Sequence, residues 1–248
     1  MNKDSETVSF GFREVTASEK AALVHDVFAS VAGKYDLMND LMSLGIHRLW
    51  KTAMLDWLAP KPDQTMLDVG GGTGDITLRW RERGGGPVQV VDYAAEMISV
   101  GRDRAIDKGI LDGITWCVGN AEALPLEDSS VDVYASAFCL RNVAHLDLAL
   151  AEARRVLKPG GRFMCLEFSH LIIPALKQAY DAWSFKVLPA LGERVAADRD
   201  SYVYLAESIR KFPDQKTFAG MIGDAGLEQV RVRNLSGGIA ALHAAWRI

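Results

Sequence analysis

The sequence predicts an α/β fold with a mainly parallel, doubly wound sheet, and two observations lead to this prediction. Strand and helix patterns alternate from residue 65 onward, and parallel neighbours in a sheet need such crossover connections. The first predicted strand ends in a glycine-rich turn that feeds a helix near Asp75, a typical ligand-binding position in such sheets. The predicted strands are 65–69, 88–91, 114–118, 131–137 and 161–167, and the predicted helices are 75–83, 95–108 and 145–157.

The chain before the sheet is predicted to be helical, after a loose arm over residues 1–15. Thr16 and Glu19 have the spacing of a capping box, which predicts the start of a helix. A wide apolar stripe over residues 46–58 predicts a second helix, and Pro60 ends it. We expect both helices to lie across the top or side of the sheet.

The chain after the fifth strand begins with an apolar helical segment over residues 172–195. A polar helical stretch with a break at Pro213 follows, and two strands at 228–233 and 239–246 end the chain. We therefore expect one domain, 1–248. Its parts are an N-terminal helical cap (1–60), a cofactor-binding core (65–169), an inserted helical lid (170–212) and a C-terminal helix with strands (213–248).

The composition excludes several classes of function. A net charge of −4 gives no basic surface for nucleic acid, so no nucleic-acid partner is expected. The three cysteines lie far apart in apolar runs, which indicates reduced thiols in a cytoplasmic protein. They form no C-x-x-C spacing and the five histidines form no H-x-x-x-H pair, so no metal site is expected. The sequence contains no run of about 18 apolar residues, which argues against a transmembrane helix and leaves peripheral membrane contact open.

The turn after the first strand, DVGGGTG over residues 68–74, is the strongest local signal for a ligand. Glycine tolerates positive φ and lets a ligand approach the backbone. A dinucleotide fold requires G-x-G-x-x-G, but Asp75 stands at the third glycine position, where an acid would repel a pyrophosphate. The pattern D-x-G-x-G-x-G resembles the first motif of S-adenosylmethionine (SAM)-dependent methyltransferases. A nicotinamide cofactor and a plain strand–helix turn are the alternatives. The residues expected to hold the cofactor here are Asp68, Gly70, Gly72, Thr73 and Gly74.

Polar residues also follow the second and third strands. Asp92 stands at the end of the second strand, where an acid can accept both ribose hydroxyls of an adenosyl group. This role serves SAM and a nicotinamide cofactor equally. Asn120 and Ala121 follow the third strand and are expected to fix the adenine edge.

Two longer stretches resemble signatures of one family. Residues 35–50, YDLMNDLMSLGIHRLW, resemble the N-terminal signature of the UbiE family of ubiquinone and menaquinone biosynthesis methyltransferases. Residues 155–169, RVLKPGGRFMCLEFS, resemble the second signature of that family. Shorter blocks at 140–143, 204–209 and 241–243 extend the resemblance from about residue 10 to residue 243. The chain departs from the family at Tyr93–Ala94, where a small polar residue is more usual, and at Ala137, where a serine is common beside the cofactor.

The resemblance implies a Rossmann-like class I SAM-dependent methyltransferase with an antiparallel C-terminal strand. The cofactor would be SAM, and Ala137 would lie beside it. The substrate would be a prenylated quinol, either 2-polyprenyl-6-methoxy-1,4-benzoquinol, demethylmenaquinol or both. SAM already carries an activated methyl group, so this chemistry requires no metal. The resemblance leaves open whether the protein forms a homodimer or joins a quinone-biosynthesis complex.

Three residues are candidates for catalysis. The ring carbon of a quinol becomes nucleophilic when a ring hydroxyl loses its proton, so the enzyme must align this carbon and stabilise the phenolate. Arg141 follows the fourth strand and could stabilise the phenolate or order a proton-accepting water; the alternative is a salt-bridged structural arginine. Tyr35 could orient a quinol hydroxyl or belong to the core. His47 has a suitable pKa for a general base, but it lies on the polar side of its helix and a structural role is the alternative.

The apolar stripe of the lid, at 172–191, also has two interpretations. It could be ordinary core, or it could form a trench for a prenyl tail or touch a bilayer. Two other functions stay open at this point: a non-catalytic SAM-binding scaffold subunit and a nicotinamide-dependent oxidoreductase.

Overall fold

The computed structural model of the protein describes residues 6–31, 40, 43, 45–196 and 199–248. A seven-stranded sheet is the centre of the fold, and a separate two-stranded hairpin precedes it. The strands of the described residues are β1 (Thr7–Phe10), β2 (Arg13–Thr16), β3 (Met66–Val69), β4 (Val88–Asp92), β5 (Ile114–Val118), β6 (Val131–Ala137), β7 (Leu157–Phe168), β8 (Glu228–Leu235) and β9 (Ala240–Trp246). The seven predicted strands are therefore confirmed, with ends that differ by a few residues.

Helices cover both faces of this sheet. The α-helices of the described ranges are α1 (Ala17–Val31), α2 (His47–Leu58), α3 (Asp75–Glu82), α4 (Ala95–Asp107), α5 (Leu146–Val156), α6 (Lys177–Ala182), α7 (Leu188–Ala196), α8 (Arg199–Lys211) and α9 (Gln215–Asp224). A short 3₁₀ turn at Leu140–Asn142 follows β6. None of the helices in the described ranges is long and apolar enough to cross a membrane.

The order of the strands defines a reversal point at β3, where a ligand site is expected. The order is β5-β4-β3-β6-β7-β9-β8, with parallel pairing from β5 to β7 and antiparallel pairing of β9 with both neighbours. The chain moves outward from β3 to β5 and then returns to place β6 on the other side of β3. Ligands of such sheets bind outside the carboxyl ends of the strands at this reversal. The mainly parallel sheet and its antiparallel C-terminal strand are as predicted.

Neighbouring residues of the central strands point into two separate cores, because successive side chains of a strand alternate between faces. Met66 packs on one face and Leu67 on the other, and Val90 and Val91 divide in the same way. Helices α2, α3 and α8 supply Met54, Trp80 and Ile209 to the first core, and α5 and α9 supply Leu150 and Phe218 to the second.

The N-terminal arm is a β-hairpin, so the prediction of a loose arm over residues 1–15 is wrong for its described part. Strands β1 and β2 pair antiparallel around a turn in which Gly11 has φ +58°. The hairpin packs on α8, where the Phe10 and Tyr204 rings stack with centroids 4.1 Å apart. This tertiary contact orders a segment whose own sequence pattern is too short to predict a strand.

The capping box before α1 is confirmed. The Thr16 N–H donates to Glu19 Oε2 at 2.8 Å, and the Glu19 N–H donates back to Thr16 Oγ1 at 3.2 Å. Two of the orphan N–H groups at the helix start are thereby satisfied.

The lid is not the continuous helix predicted over residues 172–195. A 3₁₀ turn begins at Pro174, and a π-helical turn, Trp183–Val187, separates α6 from α7. A π turn adds a residue to the helix and shifts the face that points inward. The side chain of Val187 is exposed, whereas that of the next residue, Leu188, is buried.

Candidate active site

A cavity of about 800 Å³, including its open mouth, lies at the reversal point of the sheet. The cavity is lined from the carboxyl ends of β3, β4 and β6, from the turn after β5 and from α1. Its lining residues are Ala21, Val24, Val69, Gly70, Gly72, Val91, Asp92, Tyr93, Met97, Phe138, Cys139, 119–122 and 142–144. Five predicted cofactor residues are among them: Gly70, Gly72, Asp92, Asn120 and Ala121.

Glycine is required at the three alternating positions of the loop for different physical reasons. All three have positive φ: +63° at Gly70, +54° at Gly72 and +78° at Gly74. A Cβ at Gly70 would lie 2.2 Å from the sulfur of Cys139, and one at Gly74 would lie 2.7 Å from the Trp116 ring. A Cβ at Gly72 would meet no atom closer than 3.5 Å, because this residue borders the open cavity. Gly70 and Gly74 are therefore set by packing, and Gly72 leaves room for a ligand.

Asp68 and Thr73 support the loop from behind and do not line the cavity. The Asp68 carboxylate accepts hydrogen bonds from the Thr77 hydroxyl at 2.7 Å and the Thr77 N–H at 3.2 Å. Burial raises the pKa of Asp68 to about 6, against the opposing effect of these hydrogen bonds. The Thr73 hydroxyl accepts from Arg104 of α4 at 3.0 Å. Ala137 also lies outside the lining and packs against the first core.

Asp92 is one of the two acids that line the cavity. Its two oxygens accept separate backbone hydrogen bonds, from the Gly72 N–H at 2.8 Å and from the Ala94 N–H at 2.9 Å. Burial raises the pKa of Asp92, and these N–H groups oppose that rise. Each carboxylate oxygen has a second lone pair, so the side chain can still accept a pair of ligand hydroxyls.

The turn after β5 is braced by Asn120 and Glu122. The side-chain oxygen of Asn120 accepts from the Glu122 N–H at 2.9 Å, which closes an Asx-type turn. Glu122 in turn accepts from the Ala144 N–H at 2.7 Å and lies 2.8 Å from His145 Nδ1. The two cavity-lining segments, 119–122 and 142–144, are thus held together by one carboxylate.

Helix α1 closes one side of the cavity. Ala21 and Val24 line it, and the ammonium of Lys20 donates to the Val143 carbonyl at 2.6 Å. Burial lowers the pKa of Lys20 to about 8, and the nearby charge of Glu122 opposes this effect. No sequence motif marks α1 as part of the site, because its inward residues match an ordinary amphipathic helix.

The Asp75 carboxylate at the start of α3 is neutralised rather than free. It pairs with Lys51 of α2 at 2.8 Å and with Arg79 at 2.7 Å. Burial acts to raise the pKa of Asp75, but the two cations outweigh it and lower that pKa to about 2. Repulsion of a pyrophosphate by Asp75 is correspondingly weaker than the sequence alone suggests.

Arg141 lies in a buried ion pair and does not line the cavity at the reversal point. Its guanidinium donates to Glu167 Oε1 at 2.8 Å and to the carbonyl oxygen of Phe138 at 2.6 Å. Both side chains of the pair are almost fully buried, with 2% and 1% exposure. Burial raises the pKa of Glu167 and Arg141 acts to lower it. This is the arrangement expected for the structural alternative.

The ion pair fixes the residue that borders the cavity on this side. Phe138 has φ +61°, a left-handed conformation that is unfavourable for a bulky side chain. Its N–H donates to the Leu166 carbonyl at 2.8 Å, while its own carbonyl accepts from Arg141. Phe138 lines the cavity while its ring packs against Phe168, and Cys139 follows it against Gly70. The Phe138 conformation is therefore held from both ends of its peptide unit.

His47 is buried, which corrects its predicted position on a polar helix face. Its Nδ1 lies 2.9 Å from the Ser43 hydroxyl and 3.7 Å from an oxygen of Asp40. Burial lowers the pKa of His47 to about 4, and the nearby cation of Lys51 acts in the same direction. These contacts favour a structural role. Tyr35, the remaining catalytic candidate, lies outside the residues that the structure describes.

The low pKa of His47 predicts a pH-dependent contribution to stability. Between pH 6.5 and pH 4 the unfolded chain binds a proton at this histidine and the folded chain does not, so stability is lost as the pH falls. The difference in unfolding free energy between the wild type and His47→Gln should fall by about 3 kcal/mol over this interval. Urea unfolding of both proteins at several pH values measures it. A difference that stays constant with pH would contradict the buried, neutral imidazole.

Sequence reasoning also missed two charged residues that support the site from outside the cavity. Glu167 carries a detectable signal, because it is one acid within the apolar strand RFMCLEF. Lys51 gives a weaker signal, since a lysine within an amphipathic helix usually faces water. Its burial follows only from the packing of α2 against α3.

Comparison with known proteins gives consistent matches. The model of the ubiE/COQ5 methyltransferase family matches residues 16–247. The chain is 59% identical over 244 residues to the Ubiquinone/menaquinone biosynthesis C-methyltransferase UbiE of Acidiphilium cryptum (strain JF-5), covering 98% of each chain. It is 55% identical to the protein of the same name from Brucella abortus (strain S19), covering 97% of this chain and 91% of the relative.

Solved structures show the same fold at low sequence identity. A SAM-dependent methyltransferase from Aquifex aeolicus matches with a TM-score of 0.58 and 19% identity, over 80% of this chain and 89% of that one. A geranyl diphosphate C-methyltransferase from Streptomyces coelicolor A3(2) matches with a TM-score of 0.59 and 18% identity, over 84% and 82%. At this identity the likeness concerns the fold alone.

Proposed function

This chain belongs to the ubiE/COQ5 methyltransferase family, and from that premise we propose that it transfers a methyl group from SAM to a ring carbon of a prenylated quinol in ubiquinone or menaquinone biosynthesis. The observation that carries the proposal is the cavity at the reversal point of the sheet. It combines an acid, a glycine loop and an apolar wall at the place where such sheets bind a cofactor.

The residues present fit SAM. Asp92 lines the cavity with a carboxylate that can accept ribose hydroxyls, and the space in front of Gly72 is open for the methionine part. Val91 and Met97 supply apolar contacts of the kind that an adenine ring requires, next to Ala121. The activated methyl group is the chemistry that SAM supplies when bound.

The protein must then hold the acceptor carbon in line with that methyl group and stabilise the negative charge on the quinol ring. Phe138, Cys139 and Asn142 form the wall of the cavity that borders β6 and its following turn. Burial raises the pKa of the Cys139 thiol, so this group stays protonated and adds no negative charge to the site. An uncharged wall of this kind suits an aromatic acceptor.

Arg141 is proposed to act as a positioning residue for this wall. Glu167 neutralises the guanidinium, which weakens its electrostatic effect on a phenolate. Its hydrogen bond to the Phe138 carbonyl, however, fixes the backbone of a residue that lines the cavity. Tyr35 is retained as the proposed group that orients a quinol hydroxyl, and His47 as a structural support of α2.

A mass-spectrometric assay tests the function. The purified protein would be incubated with deuteromethyl-SAM and two short-tailed quinols, one benzoquinol and one demethylnaphthoquinol, under reducing conditions. A labelled ring methyl group is expected on at least one acceptor, and the acceptor that reacts identifies the pathway. Tight SAM binding without labelled product, while both acceptors stay reduced, would instead favour the scaffold alternative.

Asp92 variants test the cofactor site independently of the acceptor. In Asp92→Ala the loss of charge-assisted hydrogen bonds, each worth about 1.5–3 kcal/mol, should raise the Kd of SAM by at least about tenfold. Asp92→Asn keeps one accepting oxygen in the same shape and should lose less affinity. Isothermal titration calorimetry measures both constants, with thermal unfolding to verify that the loop is intact. An unchanged Kd in the alanine variant would rule out the ribose-binding role.

A further inference from the structure

We propose that His145 is a positioning residue that fastens the N-terminal hairpin and α1 onto one wall of the cavity at the reversal point. Residues 119–122 and 142–144 form this wall, and His145 stands directly after them. The fastening is tighter when the imidazole is protonated, so the affinity for SAM depends on this proton. The proposal rests on the proposed function, because it concerns the binding of SAM in the same cavity.

Both ring nitrogens of His145 face carboxylates. Nδ1 lies 2.8 Å from Glu122 Oε2, and the buried Nε2 lies 3.3 Å from Glu6 Oε2. The second contact has the distance of an ion pair without the alignment of a hydrogen bond. An ionised carboxylate only accepts hydrogen bonds, and a neutral imidazole carries a single N–H. The imidazolium therefore suits both contacts, whereas the neutral ring turns a lone pair toward one of the two carboxylates.

The two carboxylates belong to the two parts of the chain that His145 joins. Glu122 lines the cavity, and its other oxygen accepts the Ala144 N–H at 2.7 Å. Glu6 precedes β1, and its carbonyl oxygen accepts at 3.0 Å from the N–H of Ala17, the first residue of α1. The contact between His145 and Glu6 thus ties the start of the hairpin and the start of α1 to the cavity wall.

Two positive features oppose the two carboxylates around the ring. The ammonium of Lys20, which donates to the Val143 carbonyl at 2.6 Å, also interacts with the charge of Glu122. His145 is in addition the N-cap of α5, where the helix dipole disfavours a cation. Within the described part of the chain its side chain makes no capping hydrogen bond there, so the ring serves the carboxylates rather than its own helix. Histidine is the side chain that ordinarily changes charge between about pH 5 and 8, so a change of pH in this interval alters the fastening.

The SAM dissociation constant of His145→Gln, divided by that of the wild type, tests the proposal. Glutamine retains a donor group but cannot carry the charge. Isothermal titration calorimetry should give a ratio of at least about fivefold at pH 5.5, falling below about twofold at pH 8.5. The other titratable groups that hold α1 are Lys20 and His25, whose Nε2 lies 3.5 Å from Glu96 of α4. Both proteins contain these groups and bind the same SAM, so their ionisation cancels in the ratio.

Glu6→Gln and Glu14→Gln form a matched pair of controls. Each removes one acid near the hairpin, but Glu14 is exposed on β2 and His145 contacts Glu6. Glu6→Gln keeps the backbone carbonyl that holds α1 and should raise the Kd of SAM by about threefold at pH 5.5, whereas Glu14→Gln should leave it unchanged. The double variant Glu6→Gln/His145→Gln should bind SAM as His145→Gln does, because both changes remove the same contact.

Two outcomes would overturn the proposal: a ratio within about twofold at pH 5.5, or a larger ratio that does not change with pH. If the wild type binds no SAM at any pH, the proposed function itself fails, and the two failures are therefore distinguishable. A second measurement does not use SAM. Amide hydrogen exchange at pH 5.5 should be faster in the hairpin and α1 of His145→Gln than in the wild type. Faster exchange confined to α5 would show that His145 supports only its own helix and would refute the assignment.

Discussion

Replacing Gly70 with alanine is expected to disrupt the cofactor site and to lower the stability of the fold. The residue has φ +63°, and its new Cβ would lie 2.2 Å from the sulfur and 2.3 Å from the Cβ of Cys139. The left-handed conformation costs an alanine about 1–2 kcal/mol, and overpacking typically adds about 1–3 kcal/mol. Because Cys139 is attached to the fixed Phe138, the glycine loop is the part that must move. The Kd of SAM should rise by at least about tenfold, with a lower Tm.

A matched variant, Gly109→Ala, separates the conformational cost from the steric clash. Gly109 has a similar φ of +69°, but an added Cβ there would meet no atom within 4 Å. Gly109→Ala should therefore show the conformational cost without the clash and should bind SAM as the wild type does. Calorimetric titration measures the Kd of SAM for both variants, and thermal unfolding measures their Tm. If Gly70→Ala binds SAM within twofold of the wild type, the loop does not depend on this close contact.

Replacing Glu167 with alanine is expected to cause the largest loss of folding stability among the variants considered. The change leaves Arg141 buried without its counter-ion and removes the acceptor of the Phe168 N–H. Breaking one partner of a buried ion pair typically costs about 3–5 kcal/mol. Urea unfolding should therefore show a loss of this size, and the loss should be smaller for Glu167→Gln, which retains an accepting oxygen.

The double variant Arg141→Met/Glu167→Leu is the control for the ion pair. Removing both charges avoids the uncompensated cation, so the double variant should be more stable than Glu167→Ala. If Glu167→Ala, Glu167→Gln and the double variant lose similar amounts of unfolding free energy, packing rather than charge determines the loss.

The elements of the core were predictable because their physical signals are local. Buried parallel strands appear as short apolar runs, as in β3 and β6, and each is bounded by turn residues. The capping box at Thr16 was also visible, since both of its hydrogen bonds join residues three positions apart. The hairpin and the π turn were not predictable in this way. Their conformations depend on packing against α8, a contact that joins distant parts of the chain.

The sequence by itself determined the fold class, the family, the cofactor loop and the acid at Asp92. Each of these features is indicated by a contiguous motif or by a residue at the end of a strand. Only the tertiary structure decided the surroundings of Arg141 and His47. The partner of Arg141 is 26 residues away and meets it because parallel pairing aligns Ala137 with Leu166. Burial then sets the protonation of His47. Such properties depend on which surfaces pack together, and a linear pattern does not specify that.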